Sequence, residues 1–90
     1  MKRAVIVISG RVHGVFFRDF VKKKSLALRI SGQVRNLDNG TVEVIAEGSE
    51  DSVNKLIEYC KKGPLLARVN NIKINFEKQK KEFNGFNIMH

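Results

Sequence analysis

Cysteine, acidic residues and long apolar runs are all scarce in this 90-residue sequence, and two of these shortages exclude classes of protein. The one cysteine, Cys60, has no partner for an internal disulfide. It also leaves too few thiols for a zinc ribbon, an iron–sulfur cluster or a soft-metal chaperone. Apolar runs such as residues 4–8 are the length of a strand and far too short to cross a bilayer. We therefore expect neither a bound metal nor a membrane partner.

The shortage of acidic residues leaves the chain strongly basic. Lysine and arginine outnumber aspartate and glutamate by 17 to 9, which gives a formal net charge of +8 at pH 7. This charge attracts anions and speeds their encounter with the protein at low salt. It fits a phosphorylated metabolite and RNA equally well, and it also fits a solvated lysine-rich surface without a partner. Charge alone does not choose among these functions.

The start of the chain and its length bear on location and domain number. Met1-Lys2-Arg3 is basic like the start of a secretory signal, but the brief apolar stretch after it meets Ser9-Gly10-Arg11 without a small-residue cleavage site. We therefore expect a cytoplasmic protein. Ninety residues can close one hydrophobic core and not two, so residues 1–90 are expected to form a single domain. We also expect this domain to be a monomer.

The first half of the chain predicts a strand, a helix and a hairpin. The β-branched run 5–8 is typical of a central strand covered on both faces. Helical spacing of apolar residues then runs from about Phe16 to near Leu28. Two further strands, 32–37 and 41–47, flank Asp38-Asn39-Gly40, whose Asn-Gly pair favours the positive φ values of a tight hairpin turn.

The second half predicts a helix and two strands. Ser49 is a suitable N-cap, Gly63 a suitable left-handed C-terminal cap, and Pro64 prevents continuation of the helix. The buried side of this helix consists of apolar residues at i, i+3, i+4 and i+7, namely Val53, Leu56, Ile57 and Cys60. Alternation predicts a strand over 72–77, a charged turn over 78–82 and a short final strand at 86–88.

This order, βαββαβ plus a short C-terminal strand, predicts the fold class. It is the split βαβ pattern of an α+β ferredoxin-like sandwich, in which an antiparallel sheet carries two helices on one face.

The segment Gly10-Arg11-Val12-His13-Gly14-Val15-Phe16-Phe17-Arg18 is the best candidate for a functional site. It leads from a strand into a helix N-terminus, where free backbone N–H groups and the helix dipole favour an anion. Its two glycines allow the backbone to approach a ligand closely. It is not a Walker loop, because no Lys-Ser or Lys-Thr follows the second glycine. These features are typical of a phosphate-binding site, and they are also compatible with an ordinary turn that carries solvated arginines.

The same segment resembles the acylphosphatase signature Gly-x-Val-Gln-Gly-Val-x-Phe/Tyr-Arg. A second family element, Gly-aromatic-Val-x-Asn-x-x-x-Gly-x-Val, is matched by Gly32-Gln33-Val34-Arg35-Asn36 and then Gly40-Thr41-Val42. Gly48, Gly63-Pro64, Ala67-Arg68-Val69 and the closing Phe86-x-Ile88 are also similar to the family pattern, so the resemblance covers nearly the whole chain.

The resemblance implies an enzyme that hydrolyses carboxyl–phosphate mixed anhydrides to a carboxylate and inorganic phosphate. It assigns the phosphoryl oxygens to Arg18 and the attacking water to Asn36. It also implies a phosphate-binding loop of backbone amides, those of His13, Gly14, Val15, Phe16 and Phe17. The reaction requires mainly positioning and charge neutralisation, so we expect no metal and no cofactor.

Three residues depart from the family pattern: His13 replaces the usual glutamine, Gln33 replaces an aromatic residue and Arg29 replaces a frequent glycine. His13 either makes phosphate affinity pH-dependent or is solvated and inert. Gln33 is expected to cost packing or substrate contact. Arg29 either adopts a left-handed conformation or marks a different helix end. Among other residues, we expect Cys60 in the core and His90 to be disordered.

Two non-catalytic functions compete with the enzyme. An RNA-recognition module shares the βαββαβ order, but it stacks bases on aromatic residues, which are missing from 5–8 and 42–46. Glu43 and Glu47 would also repel phosphate, so no nucleic-acid partner is expected. An anion-binding domain could use the same loop without turnover, although binding alone would not require both Arg18 and Asn36.

Overall fold

The computed structural model describes residues 1–90 and contains a five-stranded sheet and two helices. The elements in chain order are β1 (Lys2–Arg11), α1 (Phe17–Ala27), β2 (Ser31–Asn36), β3 (Val42–Gly48), α2 (Glu50–Lys62), β4 (Arg68–Glu77) and β5 (Phe86–Met89). The strands lie in the order β4-β1-β3-β2-β5. The predicted ferredoxin-like fold is confirmed. No helix is both long and apolar enough to span a bilayer.

The pairing of the last strand completes this topology. The contacts β1–β3, β1–β4 and β2–β3 are antiparallel, as predicted, whereas β5 lies parallel to β2. Because β4 and β5 form the two opposite edges of the sheet, the chain must cross the sheet between them.

Both helices pack on one face of the sheet, where alternate strand residues meet them in a single core. The core includes Ala4, Ile6 and Ile8 of β1 and the predicted set Val53, Leu56, Ile57 and Cys60 of α2. Val5 and Val7 point to the opposite face and are only half-buried. The prediction that this strand is covered on both faces was therefore wrong, because no helix reaches the second face.

The hydrogen bonds at the end of α1 explain the backbone conformation of Arg29. The N–H of Ile30 donates to the Ser25 carbonyl at 2.9 Å, and the N–H of Arg29 donates to that of Leu26 at 3.2 Å. These two bonds form a Schellman motif, which requires a left-handed residue after the helix. Arg29 has that conformation, with φ of 57°, as one of the two alternatives predicted.

The two ends of α2 agree with the prediction except for the ψ angle of Gly63. Ser49 accepts a hydrogen bond from the N–H of Ser52 at 3.2 Å, as expected of an N-cap. Gly63 has the predicted positive φ, 71°, but its ψ of 176° is extended and not left-handed helical. The residue before a proline is driven to extended ψ values, so Pro64 accounts for this difference.

The hairpin between β2 and β3 also differs from the prediction in its φ values. Only Gly40 has a positive φ, 88°, while Asn39 does not. The N–H of Gly40 donates to the Leu37 carbonyl at 3.1 Å, and the Asn39 Oδ1 accepts from the Thr41 Oγ1 at 2.6 Å. The Asn39 side chain thus stabilises a turn that needs one left-handed residue and not two.

The segment 78–85 is not the predicted charged turn. It is a connection that crosses the open face of the sheet, which is the face opposite to the two helices. The Glu47 carboxylate accepts hydrogen bonds from the N–H groups of Lys80, at 2.8 Å, and Lys81, at 3.0 Å. Arg3 pairs with Glu47 at 2.9 Å and with Glu82 at 2.8 Å. The anchor of this connection lies more than 30 residues away in sequence, so local pattern did not reveal it.

Candidate active site

A cavity of about 340 Å³ opens where the loop before α1 meets the end of β2 and the end of β5. It is lined by Val12, Gly14, Phe16, Phe17, Arg18, Asp19, Asn36, Ile88 and His90. The two predicted catalytic side chains, Arg18 and Asn36, therefore share one cavity although they lie on different elements.

The loop that forms one wall is held open by its own backbone. Val12 and Val15 anchor it in the core, while Gly14 and Phe16 have positive φ values of 70° and 63°. None of the turn, loop and cap hydrogen bonds uses a backbone N–H between His13 and Phe17 as donor. Donors left free at the start of a helix favour an anion, and the helix dipole adds to that preference.

Arg18 projects from the first turn of α1 and is half-buried. Its Nη1 lies 3.5 Å from the Met89 carbonyl oxygen and 3.3 Å from the His90 Nδ1. None of the ion pairs in the chain includes Arg18. The guanidinium thus contacts the Met89 carbonyl and the His90 ring while no carboxylate pairs with it, and its planar donor fork suits phosphate oxygens.

Asn36 is the last residue of β2, and its Oδ1 is a buried acceptor that no protein donor satisfies. A buried acceptor without a partner costs about 1–3 kcal/mol. Native proteins contain few such atoms, and each has a specific explanation, such as an ordered water, local strain or a catalytic role. In this cavity the carboxamide can accept a hydrogen bond from a water molecule and can also donate one to an anion.

The remaining residues predicted for the loop divide into two groups. Gly14, Phe16 and Phe17 line the cavity, whereas His13 and Val15 do not. The His13 Nε2 donates to the Thr41 carbonyl at 2.8 Å, so this ring ties the loop to the β2–β3 hairpin and is not simply solvated. Gln33 lies on the face of the sheet away from the helices and has no side-chain hydrogen bond in the structure.

Three lining residues were not found from the sequence: Asp19, Ile88 and His90. His90 was expected to be disordered, but it lies against Arg18 because parallel pairing of β5 with β2 brings the chain end to α1. Asp19 follows Arg18 directly, and only that adjacency could have indicated it. No group of three or more His, Cys, Asp or Glu side chains is placed to hold a metal ion.

Comparisons with known proteins agree with this geometry. The family model described as Acylphosphatase matches residues 4–88. The acylphosphatase of Pelotomaculum thermopropionicum is 42% identical over 86 residues, which cover 96% of this chain and 94% of that protein. The acylphosphatase of Aeropyrum pernix is 44% identical over 89 residues, covering 98% and 88%.

A solved structure extends the similarity to three dimensions. The crystal structure of acylphosphatase from Bacillus subtilis superposes with a TM-score of 0.96 at 32% sequence identity and covers 100% of both chains. The match of the family model, the full-length relatives and the shared fold place this chain in the acylphosphatase family.

Proposed function

We propose that this protein hydrolyses acyl phosphates, with Arg18 binding the phosphoryl group and Asn36 positioning the water. The observation that carries the proposal is a single cavity lined by Arg18, which is in no ion pair, by the loop residues Gly14, Phe16 and Phe17, and by Asn36, whose buried Oδ1 has no protein donor. The cavity therefore offers donors for a phosphate and a separate acceptor for a water.

The phosphoryl oxygens bind the Arg18 fork and the loop N–H groups, of which those of Gly14, Phe16 and Phe17 belong to residues that line the cavity and those of His13 and Val15 to their neighbours in the loop. These donors are fixed before the reaction, so they stabilise charge in the transition state without reorganisation. One preorganised donor of this kind is worth about 3–4 kcal/mol, or a factor of roughly 10²–10³ in rate.

The water accepts and donates hydrogen bonds at the Asn36 carboxamide and attacks phosphorus opposite the acyl oxygen. A phosphorus–oxygen bond forms to the water oxygen, and the bond to the acyl oxygen breaks. The products are a carboxylate, inorganic phosphate and a proton. The leaving carboxylate is a weak base, so the reaction depends on positioning and charge neutralisation and needs no strong general base.

We also propose a single cytoplasmic domain that acts as a monomer and binds no nucleic acid. One continuous core and a free thiol at Cys60 support this proposal, since free thiols suit a reducing compartment. The RNA-binding alternative has no support from the open face. There β1 and β3 present valines, Ile45 and the carboxylates Glu43 and Glu47 instead of aromatic rings.

The test is hydrolysis of an aryl acyl phosphate by the purified protein in the presence of a chelator. We expect Arg18→Ala and Asn36→Ala each to reduce kcat/KM by about a hundredfold or more. Arg35→Ala is the matched control for removal of a guanidinium, because Arg35 lies on the opposite face and pairs with Glu43 at 2.8 Å. Equal losses in Arg18→Ala and Arg35→Ala, or no turnover by the folded native protein, would overturn the proposal.

A further inference from the structure

Phe16 has a backbone conformation and an exposure that the fold alone does not explain. Its φ of 63° and ψ of 27° are left-handed, a conformation that is unfavourable for a residue with a Cβ and free of strain for glycine. The residue is 71% exposed, so the core does not offset the strain by burying the ring. Strained residues of this kind are concentrated at functional sites.

The cavity that holds Arg18 and Asn36 has an apolar part as well as a polar one. Its four apolar lining residues are Val12, Phe16, Phe17 and Ile88. Val12 and Phe17 are buried in the core and offer almost no surface to a ligand. The apolar side chains that a ligand can reach therefore belong to Phe16 and the half-buried Ile88.

The cavity also has room for more than a phosphate group. Its volume of about 340 Å³ lies at the lower end of the roughly 300–1,000 Å³ typical of sites for drug-sized ligands. Asp19 lines it too and takes part in no ion pair. A carboxylate that lines the cavity repels any anionic group there; Arg18 and the loop N–H groups offset this repulsion for the phosphate, whereas a charged acyl group has no such partner.

We infer that Phe16, together with Ile88, binds the acyl group and that the enzyme prefers acyl phosphates whose acyl group is uncharged and apolar, above all aromatic. This inference rests on the proposed function. An acyl phosphate has one anionic end and one acyl end, and the phosphate occupies Arg18 and the loop N–H groups. The acyl group is then left with Phe16 and Ile88 as attractive contacts and with Asp19 as a repulsive one.

The ring of Phe16 offers an aromatic acyl group an offset or edge-to-face contact that an acetyl group cannot make. Converted to a rate ratio, such a contact corresponds to about 2- to 12-fold. Substituting Phe16 by glycine removes the ring and suits the left-handed backbone, so the loop keeps its conformation. Phe16→Leu keeps apolar surface without the aromatic face.

The experiment compares kcat/KM for benzoyl phosphate, acetyl phosphate and succinyl phosphate. The ratio between two substrates, taken in native and variant protein, cancels their different intrinsic reactivities. We expect the benzoyl-to-acetyl ratio to fall about 2- to 12-fold in Phe16→Gly and less in Phe16→Leu, without a lower melting temperature. Leu65→Gly, which removes an exposed apolar side chain outside the cavity, should leave the ratio unchanged. Asp19→Asn should raise kcat/KM for succinyl phosphate relative to acetyl phosphate.

An unchanged benzoyl-to-acetyl ratio in a Phe16→Gly protein that turns over both substrates would overturn this inference and leave the proposed function intact. Absence of turnover of every acyl phosphate by the native protein would instead overturn both.

Discussion

Among the arginine–glutamate pairs that join neighbouring strands, two involve β3, and these two differ in their burial and in the partners around them. Arg3 of β1 meets Glu47 of β3 at 2.9 Å, with side chains only 4% and 2% exposed. Arg35 of β2 meets Glu43 of β3 at 2.8 Å, with side chains 49% and 17% exposed. We predict that Glu47→Ala destabilises the protein far more than Glu43→Ala, although both remove one carboxylate from a cross-strand pair.

The expected difference follows from what each substitution leaves behind. Removing Glu47 leaves the buried Arg3 guanidinium with two carboxylate partners, Glu77 and Glu82, so this part of the cost lies below the about 3–5 kcal/mol of a buried charge left without a partner. It also removes the acceptor for the N–H groups of Lys80 and Lys81. Removing Glu43 leaves Arg35 free to be hydrated, and an exposed pair is worth about 0–1 kcal/mol. A total stability of about 5–15 kcal/mol makes the first loss severe and the second slight.

Urea unfolding at neutral pH measures both free energies directly, because the midpoint shifts with stability while the slope reports the surface exposed. Arg3→Met combined with Glu47→Leu removes both charges and should recover part of the loss. Full recovery is not expected, since the Lys80 and Lys81 N–H groups still lack their acceptor.

The pH dependence supplies a second check on Glu47. Burial on its own raises the pKa of this carboxyl, but hydrogen bonds from the Lys80 and Lys81 N–H groups and from Arg3 lower it below its ordinary value. A carboxyl with a lowered pKa stabilises the fold above its unfolded pKa, about 4.3, and this stabilisation is lost as pH falls through the folded pKa. The stability gap between native protein and Glu47→Gln should therefore be largest near neutrality and narrow below about pH 4. Similar losses in Glu47→Ala and Glu43→Ala, or a gap independent of pH, would refute the reasoning.

Two smaller predictions concern single residues. Arg29→Gly should raise the free energy of unfolding by up to about 1 kcal/mol, because glycine adopts the left-handed conformation without strain; an equal or lower urea midpoint would contradict this. Burial raises the pKa of Cys60 to about 12, so at pH 8 a thiol reagent should label it only through unfolding, at a rate that rises with urea; immediate labelling of the native protein would contradict its burial.

The parts of the fold that were predicted correctly depend on neighbours in sequence. The N-cap at Ser49 and the buried side of α2 follow from periodicity and capping within a single helix. The crossing segment 78–85 could not be predicted in this way, because its anchor, Glu47, is on another strand. The prediction that β1 is covered on both faces was wrong for a similar reason, because a β-branched run does not show which faces of a strand other elements will cover.

In the candidate site, too, residues in local motifs were predicted and residues that depend on distant pairing were missed. Arg18 and Asn36 were identified from local motifs, and the fold brings them to one cavity, while their chemical roles stay predictions. Ile88 and His90 were missed because they reach the cavity only through the parallel pairing of β5 with β2. That pairing depends on a crossing that has no signature in the sequence.

The position of β1 between β3 and β4 has a consequence for how the chain folds as it is made. Its second partner, β4, begins 57 residues after β1 ends, and residue pairs such as Arg3 and Glu77 are 74 positions apart. At roughly 5–20 residues per second, a ribosome needs about 3–11 s to synthesise that interval. One edge of β1 stays unpaired throughout that interval, so this part of the sheet can close only after β4 has been synthesised. Such distant pairing favours slow folding, and the β-branched run 5–8 is open to aggregation during the delay.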